Sequence, residues 1–277
     1  RPRVLRIVSA PATATTVLGT PVRTPILVGP TTLQRHAHPD GEVTTGTGAA
    51  AAGVLLGVTS NTGVPFDAIA ATGAPWWLQI YVTRDRGLTV ELLRRAVAAG
   101  ARAVVLTADT PVVGRKRGTG QGVWDLTPDD YLHANVDLTG YLDPALAKAD
   151  DLSPDTIGWL AELTGLPVVV KGVLRADDAR ICAAAGAAGV VVSTHGGRQL
   201  DGAVPSARAL PEVTEALAGT EVEVYVDGGL RRGEHVLAAL ALGARAVVRP
   251  ERMLADRCAP DHRPALAYQR AKAVLGQ

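Results

Sequence analysis

Short, β-branched apolar runs recur along this chain, and between them lie longer alanine-rich stretches with one apolar side. Eight such runs stand out: Pro25–Gly29, Gly53–Thr59, Trp76–Val82, Ala103–Thr107, Val168–Lys171, Gly189–Ser193, Glu223–Asp227 and Ala246–Val248. Helical patterns fall at Thr89–Ala99, Arg175–Ala185, Leu210–Ala218 and Gly233–Leu242, and the tract Ala49–Ala52 also reads as helix. Runs that are apolar throughout are buried on both faces, which requires a parallel sheet covered by helices. The unit count predicts an α/β fold, a closed (β/α)8 TIM barrel forming a single domain over residues 1–277. An open doubly wound sheet is the competing topology. The longest interruption, residues 112–154, carries Gly114, Gly118, Gly120 and Gly122 and is expected to form a lid-like insertion after the fourth strand.

In such a barrel the chemistry sits where strands end. The first strand ends in Pro30-Thr31-Thr32 and the second in Thr59-Ser60-Asn61. The third carries Gln79 and Tyr81, the fourth Thr107 and Asp109, the fifth Lys171. The sixth runs into Ser193, His195 and Arg198, the seventh into Asp227-Gly228-Gly229, and the eighth into Arg249. Any one of these could be a strand cap or a hydrogen-bonded turn. Together they place polar side chains on one rim.

The most informative stretch is Ser193-Thr194-His195-Gly196-Gly197-Arg198-Gln199-Leu200-Asp201-Gly202. An imidazole and a guanidinium on a glycine-opened turn supply a proton acceptor and a carboxylate clamp. Asp109 is positioned to orient His195 and stabilise its protonated form, or else to cap the turn before Pro111. Lys171 ends a buried strand and needs a partner: a carboxylate such as Asp109, an electron-rich ligand atom, or a carbonyl substrate if it is a Schiff-base lysine. Asp227-Gly228-Gly229-Leu230-Arg231-Arg232-Gly233 opens a helix after the seventh strand, where backbone amides and the helix end favour a phosphate; the bland reading is a tight turn with two solvated arginines.

Charge and cysteine content narrow the classes. With 28 basic and 27 acidic residues the net charge is +1, so no basic excess points to nucleic acid or an anionic membrane. No apolar run is long enough to span a bilayer and no signal peptide is visible, so no membrane partner is expected. Cys182 and Cys258 form neither a disulfide framework nor a metal set, which fits a reducing cytoplasm. His36 and His38 belong to the polar turn after the first strand; His133, His235 and His262 read as surface residues, and no pair has metal-ligand spacing. The chain opens on Arg1 and its only methionine is Met253, so an upstream natural amino terminus is expected.

The Ser193–Gly202 stretch resembles the FMN-dependent α-hydroxy acid oxidase and dehydrogenase family, which includes glycolate oxidase, lactate oxidase and mandelate dehydrogenase. Supporting matches are His38-Pro39-Asp40-Gly41-Glu42, Trp77-Leu78-Gln79-Ile80-Tyr81, Leu106-Thr107-Ala108-Asp109-Thr110-Pro111, Val170-Lys171-Gly172-Val173 and the Asp227–Gly233 segment. The resemblance implies FMN as cofactor, with Thr31 and Thr32 facing the ring and Gln79 and Thr107 at its pyrimidine end. Lys171 would lie near N1 and the C2 carbonyl, and Thr59, Ser60 and Ser193 would complete the cofactor set. Asp227, Gly228, Gly229, Arg231, Arg232 and Arg249 would hold the ribityl chain and phosphate. Tyr81 and Arg198 would bind the substrate, and His195, backed by Asp109, would take its proton.

The chain departs from the family pattern in several places. The match starts after the family's amino-terminal substrate-binding tyrosine. Where a second substrate-binding arginine is usual the chain reads Arg115-Lys116-Arg117: Lys116 at that place would lack the two-pronged clamp, whereas Arg115 or Arg117 there would keep it. The eighth strand reads Val247-Val248-Arg249-Pro250 without the usual glycine. The expected reaction is oxidation of an (S)-2-hydroxy acid to the 2-oxo acid, with oxygen reduced to hydrogen peroxide. The second glycine of His195-Gly196-Gly197-Arg198 and small residues at Asn61-Thr62-Gly63 favour an aromatic acid of mandelate or 4-hydroxymandelate type. A soluble dehydrogenase with another acceptor, a flavin-binding barrel without turnover, and a Schiff-base lyase are the alternatives. The resemblance also makes a homotetramer an expectation.

Overall fold

Residues alternate in and out along each strand, and the structure uses that alternation to build two layers inside one ring. In this computed structural model the described residues are 12–112, 127–128, 131, 133–139 and 147–249. A short antiparallel hairpin comes first, β1 (Thr15–Val17) and β2 (Thr20–Val22). Eight strands follow: β3 (Ile26–Val28), β4 (Leu56–Thr59), β5 (Trp76–Ile80), β6 (Val104–Thr107), β7 (Val168–Val173), β8 (Gly189–Val192), β9 (Glu223–Val226) and β10 (Ala246–Arg249). They pair in parallel in chain order, and β10 closes on β3 with Val247 opposite Ile26. The closed barrel expected from the repeat is therefore the observed one, and the open sheet is excluded.

Helices α1 (Gly41–Ala52), α2 (Phe66–Ala70), α3 (Arg86–Ala98), α4 (Asp155–Thr164), α5 (Ala176–Ala184), α6 (Ser206–Ala216) and α7 (Gly233–Ala241) occupy the connections. Outward-facing strand residues such as Leu78, Val104, Leu106, Val170 and Val190 pack under them in the larger apolar cluster. Inward-facing Leu27, Trp77, Val105, Val169, Val191, Tyr225 and Val248 form a separate cluster with Val17 and Val22 of the hairpin. The hairpin thus plugs the amino-terminal end of the barrel. Its turn is unusual: Leu18 has φ 43, a region that disfavours a side chain. The Leu18 amide donates to Glu223 Oε2 at 3.1 Å, and Arg245 Nε donates to the Thr16 carbonyl at 2.6 Å, which holds the turn in place.

The hairpin, α2 and α4 were not anticipated. Helix α6 begins at Ser206 rather than Leu210, because it tolerates Pro211 in its interior. Most of the interval 112–154, including Lys116, lies outside the described residues. Within it, buried Asn135 accepts from the Phe66 amide at 2.8 Å and donates to the Val64 carbonyl at 2.9 Å, anchoring its stretch beside α2. No helix among the described residues is long and apolar enough to cross a membrane.

Candidate active site

Two residues beyond the inward apolar layer, the same strands turn polar. Trp77 is followed by Gln79, Val105 by Thr107, Val169 by Lys171, Val191 by Ser193 and Tyr225 by Asp227. The strand period of two puts each of these polar side chains above its apolar predecessor, inside the barrel at its carboxyl end. All five are buried. Gln79 Nε2 donates to Thr107 Oγ1 at 2.8 Å. Lys171 Nζ donates to Ser193 Oγ at 2.8 Å and pairs with Asp227 Oδ2 at 3.2 Å. Lys171 therefore does meet a carboxylate, Asp227 and not Asp109.

His195 stands one step further out, in a single 3-10 turn (His195–Gly197). Its φ of 53 is a strained value for a residue with a side chain, and such residues concentrate at functional sites. The His195 amide donates to Ser193 Oγ at 3.1 Å, which helps hold that conformation. Ser193 consequently joins Lys171 to the His195 backbone through one hydroxyl. The His195 Nδ1 lies 3.0 Å from Asp109 Oδ1. A carboxylate at Nδ1 fixes the proton there and leaves Nε2 as the open base.

Asp109 reaches this position because β7 bulges between Lys171 and Val173. Gly172 has φ 111 there, and a Cβ on it would meet Asp109 Cβ at 2.5 Å. Only glycine lets the two backbones pass. The other Asp109 oxygen, Oδ2, is buried without a hydrogen-bond partner among the described residues. Tyr81 lies on the same rim. Burial pushes its phenol up to about 12, with the Asp109 charge adding to the rise and the Arg198 guanidinium opposing it. Tyr81 is therefore an O–H donor at neutral pH, with Asp109 and Arg198 both close enough to feel.

The rest of the rim is assembled from loops. Thr32 and Thr59 approach hydroxyl to hydroxyl at 3.5 Å, and Thr31 Oγ1 donates to the Gly29 carbonyl at 3.4 Å. The Ser60 amide donates to the Gln79 carbonyl at 2.7 Å. Gly228 and Gly229 turn through φ 85 and 71 before α7, with the Asp227 carbonyl held by Ser206 Oγ at 2.6 Å. Arg249 Nη2 donates to the Arg231 carbonyl at 3.4 Å, which brings the end of β10 to this loop. Arg231 and Arg232 are exposed, and Arg232 pairs with Glu234 at 2.7 Å.

Sequence reading missed two connections. Ser193 as the hub between Lys171 and His195 could have been found from its place two residues after Val191. His235, read as a surface residue, accepts the Arg231 amide at its Nδ1 at 3.1 Å and so braces the Asp227–Gly233 turn. A Cβ on Gly63 would meet Arg35 Cδ and Tyr131 Cβ at 3.3 Å, so glycine there accommodates those two side chains. No cluster among the described residues has the composition of a metal site.

Comparison with known proteins gives one consistent result. L-lactate oxidase from Nostoc sp. is 40% identical over 265 residues, covering 90% of this chain and 72% of that protein. 2-Hydroxyacid oxidase 1 from Homo sapiens is 40% identical over 266 residues, covering 89% and 70%. A mandelate oxidase variant solved with (S)-mandelic acid superposes with a TM-score of 0.81 at 36% identity, covering 99% of this chain and 76% of that one. Another, solved with a C4a-OH-FMN adduct, reaches 0.86 at 36% identity, covering 99% and 80%. The model of the FMN-dependent dehydrogenases matches residues 1–255, and the chain belongs to that family of FMN-dependent 2-hydroxy acid oxidoreductases.

Proposed function

We propose that this protein oxidises an (S)-2-hydroxy acid, with a preference for aromatic acids of mandelate type, to the 2-oxo acid, passing the electrons to oxygen. The observation that carries the reading is the His195–Asp109 contact of 3.0 Å, set on the same rim as a buried lysine. The residues present fit FMN. Asp227 Oδ1 is buried with no hydrogen-bond partner among the described residues, an acceptor that a ribityl hydroxyl would satisfy. Lys171 and Gln79 supply donors for the ring edge, with Thr107, Thr59, Ser60 and the Thr31–Thr32 turn around them. Gly228, Gly229, Arg231, Arg232 and Arg249 would hold the phosphate. Held there, FMN would supply the two-electron acceptor for the reaction, with oxygen as the final oxidant and hydrogen peroxide as coproduct.

The chain's own groups do the rest. Arg198 clamps the substrate carboxylate, and the protonated Tyr81 phenol donates to the substrate oxygen. His195 Nε2 accepts the hydroxyl proton as the carbon–hydrogen bond breaks, and the carbon-bound hydrogen would leave with the bonding electron pair as a hydride equivalent toward the flavin. The imidazolium so formed faces Asp109, whose charge stabilises it. A Schiff-base role for Lys171 needs a neutral amine free to attack, whereas here the side chain bonds Ser193 and Asp227.

Similarity to mandelate oxidase structures supports the aromatic preference, as does the Gly196-Gly197 pair. Anaerobic bleaching of the yellow protein by (S)-mandelate, (S)-lactate and glycolate tests it directly. The expected order is mandelate fastest. Faster bleaching by lactate or glycolate would reverse the preference, and no bleaching by any of them would defeat the oxidase reading.

A further inference from the structure

Resting on the 2-hydroxy acid reading, we propose that Lys148 is a positioning residue that holds Tyr81 for substrate binding. Lys148 Nζ stands 3.5 Å from the centroid of the Tyr81 ring. An ammonium over an aromatic face is attracted by the ring's electron density, and more strongly when both are partly withdrawn from water. Both residues are half-buried here.

The contact is built by backbone, not by a loose side chain finding a ring. Residues 147–149 run antiparallel to residues 82–84, immediately beyond Tyr81. The Arg84 amide donates to the Ala147 carbonyl at 2.8 Å and the Ala149 amide to the Val82 carbonyl at 2.8 Å, with Thr83 and Lys148 as the bridged pair. Arg84–Asp150 at 2.9 Å and Arg86–Asp151 at 2.6 Å continue the zipper. Exposed ion pairs add little energy each, but together they hold the register that brings Lys148 to the ring.

The consequence falls on the hydroxyl. Tyr81 already lies between the charge of Asp109, which discourages ionisation, and that of Arg198, which favours it. An ammonium on the ring face fixes the ring plane, and so fixes where the O–H points relative to Arg198. Its positive charge also makes the phenol a better donor to an anionic substrate. Lys148 acts through Tyr81 and is given no contact with the reacting atoms.

Two single variants and one double variant test this on the FMN-loaded protein. Lys148→Met keeps the backbone bridge and most of the stem but removes the charge. Lys148→Arg keeps a cation that stacks on aromatic rings. Lys148→Met should raise KM for (S)-mandelate about fivefold with a smaller change in kcat, while Lys148→Arg stays within about twofold of the parent. The dissociation constant of the product phenylglyoxylate, measured by calorimetry without turnover, should move in parallel with KM. FMN retention and melting temperature should be unchanged in both. In a Tyr81→Phe background, Lys148→Met should add no further loss. An unchanged KM in Lys148→Met, failure of arginine to rescue, or an equal loss in the Tyr81→Phe background each overturns the proposal. A parent protein that neither oxidises nor binds any hydroxy or oxo acid overturns the oxidase reading, and this inference with it. An active parent matched by Lys148→Met overturns this inference alone.

Discussion

The inside of this barrel holds two layers built by the same strands, and they differ in everything but geometry. In the lower layer Trp77, Val105, Val169, Val191 and Tyr225 pack with the hairpin residues Val17 and Val22. In the upper layer, two residues on, Gln79, Thr107, Lys171, Ser193 and Asp227 are as buried but polar. The lower layer needs chiefly volume and apolar area: the Tyr225 hydroxyl bonds Glu223, and its one orphan among the described residues is a neutral donor, the Trp77 indole Nε1. The upper layer leaves Asp227 Oδ1, and the rim just beyond it Asp109 Oδ2, without partners among the described residues. Unsatisfied buried acceptors destabilise a fold, and their concentration on one rim marks the layer shaped for something besides stability.

The contrast breaks most sharply at His195. His195→Ala should lower kcat by about two to four orders of magnitude, the reach of general acid–base catalysis, while leaving the melting temperature near that of the parent. A variant with near-parental turnover would remove His195 from the chemistry.

Lys171→Met comes next. It leaves Asp227 as a buried carboxylate without its cation, a change that costs about 3–5 kcal/mol in comparable buried pairs. Both stability to urea and FMN retention should fall. The double variant Lys171→Met with Asp227→Asn should recover much of the stability and none of the FMN retention. If stability and FMN binding recover together, the upper layer is structural after all.

How much of this contrast was legible beforehand follows from sequence distance. All eight barrel strands and their polar ends were readable, because each depends on a local apolar run followed by a polar or glycine step. His195 with Asp109 was also within reach, since both sit at strand ends that a closed barrel brings together. The Lys171–Asp227 pairing was not, because Asp109 ends the adjacent strand β6 while Asp227 follows β9, two strands away, and only the geometry of the closed ring selects between them. The hairpin escaped notice because three-residue strands carry almost no periodicity. Gly172 follows the run Val168–Lys171 directly and carries no local signal of its role. Its purpose, passing Asp109, exists only across two strands.

The lower layer answers to a smaller change. Tyr225→Phe keeps the ring and deletes the hydroxyl bonded to Glu223. Glu223 retains the Leu18 amide, so the loss should be about 1–2 kcal/mol in urea unfolding, with kcat unchanged. A fall in kcat would show that the plug at the amino-terminal end communicates with the rim, and the two layers would no longer be separable.

Glu42 sets the gentlest test, because it is a buried carboxyl outside both layers and has no cation bonded to it among the described residues. It lies in α1 and accepts the Gln34 amide through Oε1 at 3.3 Å, bracing the turn that follows Thr31 and Thr32. Its Oε2 has no hydrogen-bond partner among the described residues, and burial raises its pKa above the ordinary glutamate value. A raised carboxyl binds its proton more tightly folded than unfolded. Stability is then intact below the unfolded pKa and declines as pH climbs through the folded one. Glu42→Gln keeps the shape and an acceptor for Gln34 and removes the titration. Its unfolding free energy should match the parent in acid and exceed it at neutral pH, by about 0.5–1 kcal/mol, the scale of a single unstrained substitution. A difference between the two proteins that stays constant across that range would mean that folding leaves the Glu42 proton affinity unchanged, with its hydrogen bonds and Arg35 offsetting burial. The turn carrying Thr31 and Thr32 would then rest on a compensated anion, as the rim does at Lys171 and Asp227.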